Sequence, residues 1–184
     1  FFIGLYGREV VNQHQLLHCA IASGVVRNVE YLLSLRPDLE AKDADGLTPL
    51  CSAICCLSID LVELLVENGA DVHAKHVDNH EYSYLHVAAE TKNVDAIRFL
   101  LTRGLSVHVV DDQGGTALHV AAAVGAVEVL HVLLERGGNL FAETHEGFSV
   151  TQAAASNGKL KVLKFLEACG LTRDFEKPHA SDEK

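Results

Sequence analysis

The feature that most constrains this chain is a four-residue pattern, or tetrad, that returns five times at an almost constant interval. The first residues of the tetrads lie at positions 15, 48, 83, 116 and 149, so the steps between them are 33, 35, 33 and 33 residues. The clearest copies are TPLC at 48–51, SYLH at 83–86 and TALH at 116–119. A period in this range is typical of repeat proteins, in which every repeat is one small structural unit.

Each unit is predicted to contain two short helices. Thr48, Ser83, Thr116 and Ser149 stand where a helix needs an N-cap oxygen, and Pro49 suits the first helical position. After each tetrad come one residue and then an alanine followed by Ala or Ile. Leu and Val at helical spacing then give the second helix one buried face. Because a lone helix pair cannot bury that face, we expect the units to stack, each contacting only its neighbours.

Glycine and aspartate mark the predicted turns of each unit. Gly24, Gly125 and Gly158 stand between the two helices, and further glycines fit a left-handed helix end 21 residues after the tetrad start. These further glycines are Gly69, Gly104, Gly137 and Gly170. The Asp- and Gly-rich segments at 43–46 and 112–115 predict tight turns before the next tetrad.

These residues resemble the ankyrin repeat. The resemblance rests on TPL at 48–50, LHVAA at 118–122, EV at 128–129 and GADV at 69–72, and it covers about residues 10–171. It implies an all-α solenoid of about five helix-turn-helix units, with a β-hairpin finger before each first helix. It further implies a protein-binding surface on the concave side, and hydrogen bonds between adjacent units from the tetrad histidines His18, His86 and His119.

The pattern divides the chain into three parts. We expect residues 1–9 to cover the exposed edge of the first repeat, or to be the end of an upstream segment, since the chain has no initiator Met and is expected to be a fragment or a processed chain. Residues 10–171 form the repeat domain, and residues 172–184 a polar tail or a link to a further domain. Repeats one to five span about 10–42, 43–77, 78–110, 111–143 and 144–171.

Repeats two and three depart from the pattern of the others. Two extra residues lie near 75–77, and several positions carry an unusual residue. These are Cys51 for histidine, Leu57 and Lys92 for the glycine between helices, Glu81 for the finger glycine and Tyr84 for proline. Two interpretations stay open: neutral variation in a tolerant surface turn, or fingers shaped by a partner.

A candidate binding surface follows from the offset of each position from its tetrad. Finger and first-helix positions are expected to face the concave side, where Leu47, Tyr82 and Phe148 provide apolar anchors inside a polar rim. The candidate partner-binding residues are Asp45, Leu47, His80, Tyr82, Glu90, Asp112, Gln113 and Phe148. The alternative for Tyr82 and Phe148 is packing between neighbouring fingers.

The charge balance limits the class of partner. The net charge is -10, from 15 Lys+Arg against 25 Asp+Glu, and no basic run occurs. Nucleic acid is therefore not expected as a partner, because its binding depends on Lys and Arg. No apolar run approaches the roughly 18 residues of a membrane span. We expect a monomer whose partner is a protein or peptide with basic residues.

No pattern of catalytic or cofactor-binding residues is recognisable, so neither an enzyme nor a cofactor or metal is predicted. His76 and His80 with Glu81 suggest either a weak adventitious metal site or simple solvation. Cys51 and Cys55 are four residues apart and share one helix face, which suggests buried packing or a redox role for the more exposed thiol. The five cysteines are odd in number and lie in apolar stretches, which favours a reducing intracellular compartment, cytoplasmic or nuclear.

The function expected from these features is non-catalytic protein recognition as an adaptor, scaffold or targeting module. Two alternatives stay open. One is a regulatory or substrate-recruiting segment of a larger enzyme or channel, and the other is a secreted effector that binds host proteins.

Overall fold

Ten helices arranged as five consecutive pairs make up the computed structural model over the residues it describes, 13–74 and 81–169. Isolated antiparallel bridges join Val110 with Thr116 and Glu143 with Ser149. The helices are α1 Gln13–Ser23, α2 Val26–Ser34, α3 Pro49–Cys55, α4 Ile59–Glu67, α5 Tyr84–Glu90, α6 Val94–Thr102, α7 Ala117–Val124, α8 Val127–Glu135, α9 Val150–Ser156 and α10 Leu160–Ala168. The predicted all-α repeat solenoid is confirmed.

The first helices begin where the tetrads predict. Thr48 caps α3 by accepting a hydrogen bond from the backbone N–H of Cys51, and Pro49 occupies the first helical position. At α9 the bonds are reciprocal, because Ser149 accepts from the N–H of Gln152 while the Gln152 side chain accepts from the N–H of Ser149 at 2.7 Å. Such a capping box satisfies two backbone donors that a helix start otherwise leaves open.

The turns between paired helices need left-handed backbone. Gly24, Gly125 and Gly158 have φ values of 70°, 83° and 65°. At the same position in repeats two and three, Leu57 and Lys92 adopt φ values of 57° and 59°. A residue with a Cβ costs roughly 1–2 kcal/mol more there than glycine does, so these two repeats keep the geometry at a cost in stability.

One apolar core runs through all five repeats. Neighbouring first helices pack on each other (α1, α3, α5, α7, α9), as do neighbouring second helices, and the two rows form two layers. This core includes Leu17, Ile54, Leu85 and Leu118, and Tyr84 is the largest of its fully buried side chains. A core of mainly aliphatic and alanine side chains keeps the layers thin, which suits a stack of small units.

Several predicted features fall outside the described residues. These are the covering segment at 1–9, the two extra residues near 75–77, His80, Gly170 and the polar tail at 172–184.

Candidate functional site

A cavity of about 500 Å³ lies between the finger that precedes α3 and the helices α1 and α3. We call it the groove. From the finger it is lined by Asp43, Ala44, Asp45 and Leu47, from α1 by Gln15, His18, Cys19 and Ala22, and from α3 by Ser52 and Cys55 together with Cys56, the residue that follows this helix. The four lining residues of α1 stand at positions i, i+3, i+4 and i+7, which places them on one helix face.

The finger at the groove is held by its first residue. The Asp43 carboxylate accepts hydrogen bonds from the backbone N–H groups of Asp45 at 3.0 Å and Leu47 at 2.9 Å. The carbonyl of Leu47 in turn lies 2.9 Å from His18 Nε2. The side chain of Leu47 is half-buried against the core, and Asp45 is exposed. The groove therefore presents one fixed apolar wall and one accessible carboxylate.

Two candidate residues of repeat three lie elsewhere. Tyr82 is half-buried and its ring stacks on that of His86, with centroids 5.2 Å apart and planes 25° apart. Glu90 is the exposed last residue of α5. Neither belongs to the lining of the groove, so the two predicted apolar anchors Leu47 and Tyr82 do not share that cavity.

The remaining candidates belong to the fingers of repeats four and five. Asp112 and Gln113 are exposed, and the carbonyl of Gln113 accepts from the backbone N–H of His145 at 2.8 Å, which ties the two fingers together. Phe148 is half-buried against the core. Of the eight candidates, the groove brings together Asp45 and Leu47, and His80 is not among the described residues.

The groove contains a thiol group that is absent from the candidate binding residues. Cys55 is exposed at the C-terminal end of α3, whereas Cys51, one turn earlier, is 1% exposed. A hydrogen bond from Cys51 lowers the pKa of the Cys55 thiol to about 7, against the opposing effects of partial burial and of the Glu90 charge. The i,i+4 spacing of the two cysteines was the available sequence signal.

The tetrad histidines connect adjacent repeats, as the resemblance implies. Besides the His18 contact, His86 Nε2 lies 3.1 Å from the carbonyl of Gly115, and His119 Nε2 lies 3.1 Å from that of Phe148. The Nδ1 atom of His86 accepts from the N–H of Ser83, so its Nε2–H must be the donor to Gly115. Burial lowers the pKa of both His86 and His119.

The junction between repeats two and three uses different groups, which the sequence interpretation missed. Where Cys51 stands in place of histidine, the hydroxyls of Tyr84 and Thr48 form a buried hydrogen bond of 2.7 Å. Asn93 adds a second bond by donating to the carbonyl of Ile54 at 3.1 Å. The sequence signal was the presence of two unusual residues in neighbouring repeats: repeat two lacks the tetrad histidine, and repeat three has a tyrosine in place of proline.

Metal ligation and membrane spanning find no support in the described part of the chain. Between 13 and 74 and between 81 and 169, no three His, Cys, Asp or Glu side chains are grouped so as to hold a metal ion. The suggested site at His76, His80 and Glu81 lies mostly outside these ranges. No helix within them is long and apolar enough to cross a bilayer.

Comparison with known proteins agrees with the repeat geometry. The family model described as "Ankyrin repeats (3 copies)" matches residues 3–76 and 85–174. The ankyrin repeat and KH domain-containing protein mask of Drosophila melanogaster is 31% identical over 105 residues, which are 57% of this chain and 3% of that protein. Human neurogenic locus notch homolog protein 2 is 37% identical over 98 residues, 53% of this chain and 4% of that protein.

One plant relative is named as an enzyme. The E3 ubiquitin-protein ligase KEG of Arabidopsis thaliana is 33% identical over 101 residues, 54% of this chain and 6% of that protein. The chain thus spans between 3% and 6% of the length of these three relatives. The similarity concerns one part of much larger proteins.

Proposed function

Because the chain belongs to the ankyrin-repeat family, whose repeats are protein-interaction modules, we propose that it binds a protein segment across its fingers and first helices. The groove between α1, α3 and the second finger carries this proposal, because it combines an apolar wall with exposed polar groups. Leu47 is the apolar contact and Asp45 the charged contact. Both are attached to a finger that is already ordered by hydrogen bonds, so little ordering cost is added on binding.

The proposed partner segment carries Lys or Arg beside an apolar residue. Asp43 and Asp45 line the groove, and Glu90 and Asp112 add exposed carboxylates to later repeats. Together with the net charge of -10, these groups favour cations at the surface. Such attraction raises the association rate and weakens as salt rises.

Selection of a random peptide library displayed on phage tests this proposal. The expected peptides are enriched in Lys or Arg next to an apolar residue, and Asp45→Lys lowers their affinity about fivefold, as loss of roughly 1 kcal/mol would. Glu63→Lys is the matched control, because Glu63 is exposed on the second helix α4 and its replacement changes the net charge equally. Equal loss in both variants would reject the groove as the site.

The stacked ring of Tyr82 provides a second test of where the peptide lies. If the segment extends over repeat three, Tyr82→Ala weakens binding by about 2 kcal/mol, the loss of a hot-spot residue. Because the ring also packs on His86, the thermal unfolding of the variant is measured beside its affinity. An unchanged affinity with intact folding confines the peptide to the groove.

A second candidate function is recruitment of a target to a catalytic domain. The similarity to an E3 ubiquitin-protein ligase, of which the matched segment is 6%, favours this candidate. Sequencing of the full transcript tests it: an open reading frame that continues into a catalytic domain supports recruitment, and one without such a domain contradicts it.

A further inference from the structure

Three of the cysteines share the groove, and this cluster has no part in the proposed peptide contacts. Cys19 belongs to α1, Cys55 is the last residue of α3, and Cys56 follows it; all three are exposed free thiols. Exposed thiols in a cavity of about 500 Å³ are accessible to small molecules and leave room for what is added to them. The cluster is therefore a candidate modification site rather than a packing feature.

We propose that Cys55 is a thiol–disulfide exchange site that takes small, positively charged disulfides such as those of aminothiols. The Cys55 thiolate attacks one sulfur of the disulfide, so that the S–S bond of the small molecule breaks and a new S–S bond forms to Cys55. The Cys55 sulfur is oxidised, and the departing sulfur is reduced and leaves as a thiolate that takes a proton from water.

Cys55 is distinguished from its neighbours by the hydrogen bond from Cys51. Cys51 is buried and fixed in α3, so its S–H lies ready to stabilise a negative charge on the Cys55 sulfur. This stabilisation lowers the pKa of Cys55 to about 7, and the thiolate is the reactive form. The titratable groups around Cys55 are Cys51 of α3, the adjacent Cys56, Glu90 of α5, His18 and Cys19 of α1, and Asp43 and Asp45 of the finger.

The preference for a positive charge follows from the groove lining. Asp43 and Asp45 are its charged members among the described residues, and the Glu90 charge also acts on Cys55. A cationic disulfide is attracted to these carboxylates, whereas an anionic one is repelled at low ionic strength. An adduct at Cys55 would also occupy space in the groove and compete with a peptide there, and this last consequence alone rests on the proposed function.

The test uses a full-length variant in which Cys19, Cys56 and Cys169 are serine, leaving Cys55 and the buried Cys51. All three replaced residues are exposed, so the fold should tolerate the changes. Its matched control keeps Cys56 and replaces Cys55 by serine, because the two cysteines are adjacent in the chain and line the same groove. The rate of adduct formation with cystamine is followed by intact-protein mass spectrometry from pH 5.5 to pH 9.

The expected rate profile of Cys55 has its midpoint near pH 7. At pH 7 Cys55 reacts about threefold faster than a cysteine in an unstructured peptide, since roughly 15-fold more thiolate is partly offset by the lower nucleophilicity of a less basic sulfur. Adding Cys51→Ala raises the midpoint, with circular dichroism as the check on folding. A midpoint above pH 8, or equal rates for Cys55 and Cys56, would overturn the assignment.

The charge preference is measured with disulfides of similar size. Each rate is first divided by the rate of the same disulfide with the unstructured peptide. At low ionic strength the resulting relative rate should be at least threefold higher for cystamine than for the dianion dithiodiglycolate. In 0.5 M salt the ratio of the two relative rates should approach one. A ratio near one at low salt overturns the charge preference. The labelling needs no partner, so it can fail while peptide binding by the unmodified protein persists, and it can succeed where no peptide binds.

Discussion

The junction between repeats two and three differs from the junction between repeats four and five in the side chains that connect the two units. Repeats four and five are joined by His119, which reaches the carbonyl of Phe148, and His86 makes the same connection from repeat three to repeat four. Between repeats two and three, the hydroxyls of Tyr84 and Thr48 meet instead. One stacking geometry is thus compatible with two hydrogen-bond arrangements, provided that the buried polar groups are satisfied.

The two arrangements also respond to pH in opposite directions. A buried histidine must stay neutral to accept from its N-cap N–H while donating across the junction, so acid opposes it. A buried tyrosine must stay protonated, so alkali opposes it.

The largest effect is expected from His86→Ala. This change leaves the buried N–H of Ser83 without its partner, removes the bond from His86 to the Gly115 carbonyl, which keeps only the one from the N–H of Asp111, and opens a cavity. We expect it to lower the free energy of unfolding by about 3 kcal/mol. Cys51→Ala, at the same position of repeat two, removes one buried sulfur and should cost about 1 kcal/mol. Urea denaturation of both variants measures the difference, and equal losses would show that the histidine bridge adds nothing specific.

Acid should weaken the histidine junctions. Burial holds the pKa of His86 and His119 below the ordinary value of about 6.5, so the unfolded chain takes up protons first as pH falls. The free energy of unfolding then decreases below pH 6.5, by up to about 1.4 kcal/mol per pH unit for each histidine.

Urea denaturation between pH 7.5 and pH 4.5 checks this acid dependence. The control is the double variant His86→Gln/His119→Gln, because Gln152 occupies the same position in repeat five and forms the same capping box. Its free energy of unfolding should fall less steeply with acid than that of the wild type. Parallel curves would assign the acid dependence to the carboxylates instead.

The periodic part of the fold could be predicted from the sequence, and the junction of repeats two and three could not. Local backbone geometry determines the roles of Thr48, Ser149 and the helix-turn glycines. Such roles can be predicted from the residue type and its place in the repeat. The bond between Tyr84 and Thr48 joins residues 36 positions apart, so it depends on how two repeats stack. The groove could be predicted in part. The repeat offset indicated Asp45 and Leu47 as binding residues, but the cavity between these residues and α1 depends on how two repeats stack.

A smaller effect is expected from Tyr84→Phe. Loss of the buried hydroxyl bond should lower the free energy of unfolding by about 1–1.5 kcal/mol. Burial also raises the pKa of Tyr84 above its ordinary value of about 10. The unfolded chain therefore loses its tyrosine proton first, and the wild type should lose stability above pH 10.

Tyr31→Phe is the matched control for this alkaline effect, because Tyr31 is 67% exposed. Thermal unfolding from pH 8 to pH 11 should give a flatter profile for Tyr84→Phe than for the wild type or Tyr31→Phe. If all three profiles fall together above pH 10, Tyr84 does not carry the alkaline sensitivity of this junction.

The smallest effect concerns the turns between helices in the same two repeats. Lys92 is exposed and has a φ of 59°, so Lys92→Gly relieves a left-handed strain that repeats one, four and five avoid with glycine. The gain is expected to be about 0.5 kcal/mol, because the glycine also increases the entropy of the unfolded chain. The reverse change, Gly24→Ala, should cost about 0.5 kcal/mol, because the same backbone strain is again partly offset by the lower entropy of the unfolded chain. A Cβ at Gly24 would meet no atom within 4 Å, so the stability lost in this variant reflects the backbone conformation alone. If Lys92→Gly destabilises as much as Gly24→Ala does, Lys92 makes a contact that compensates for the backbone strain.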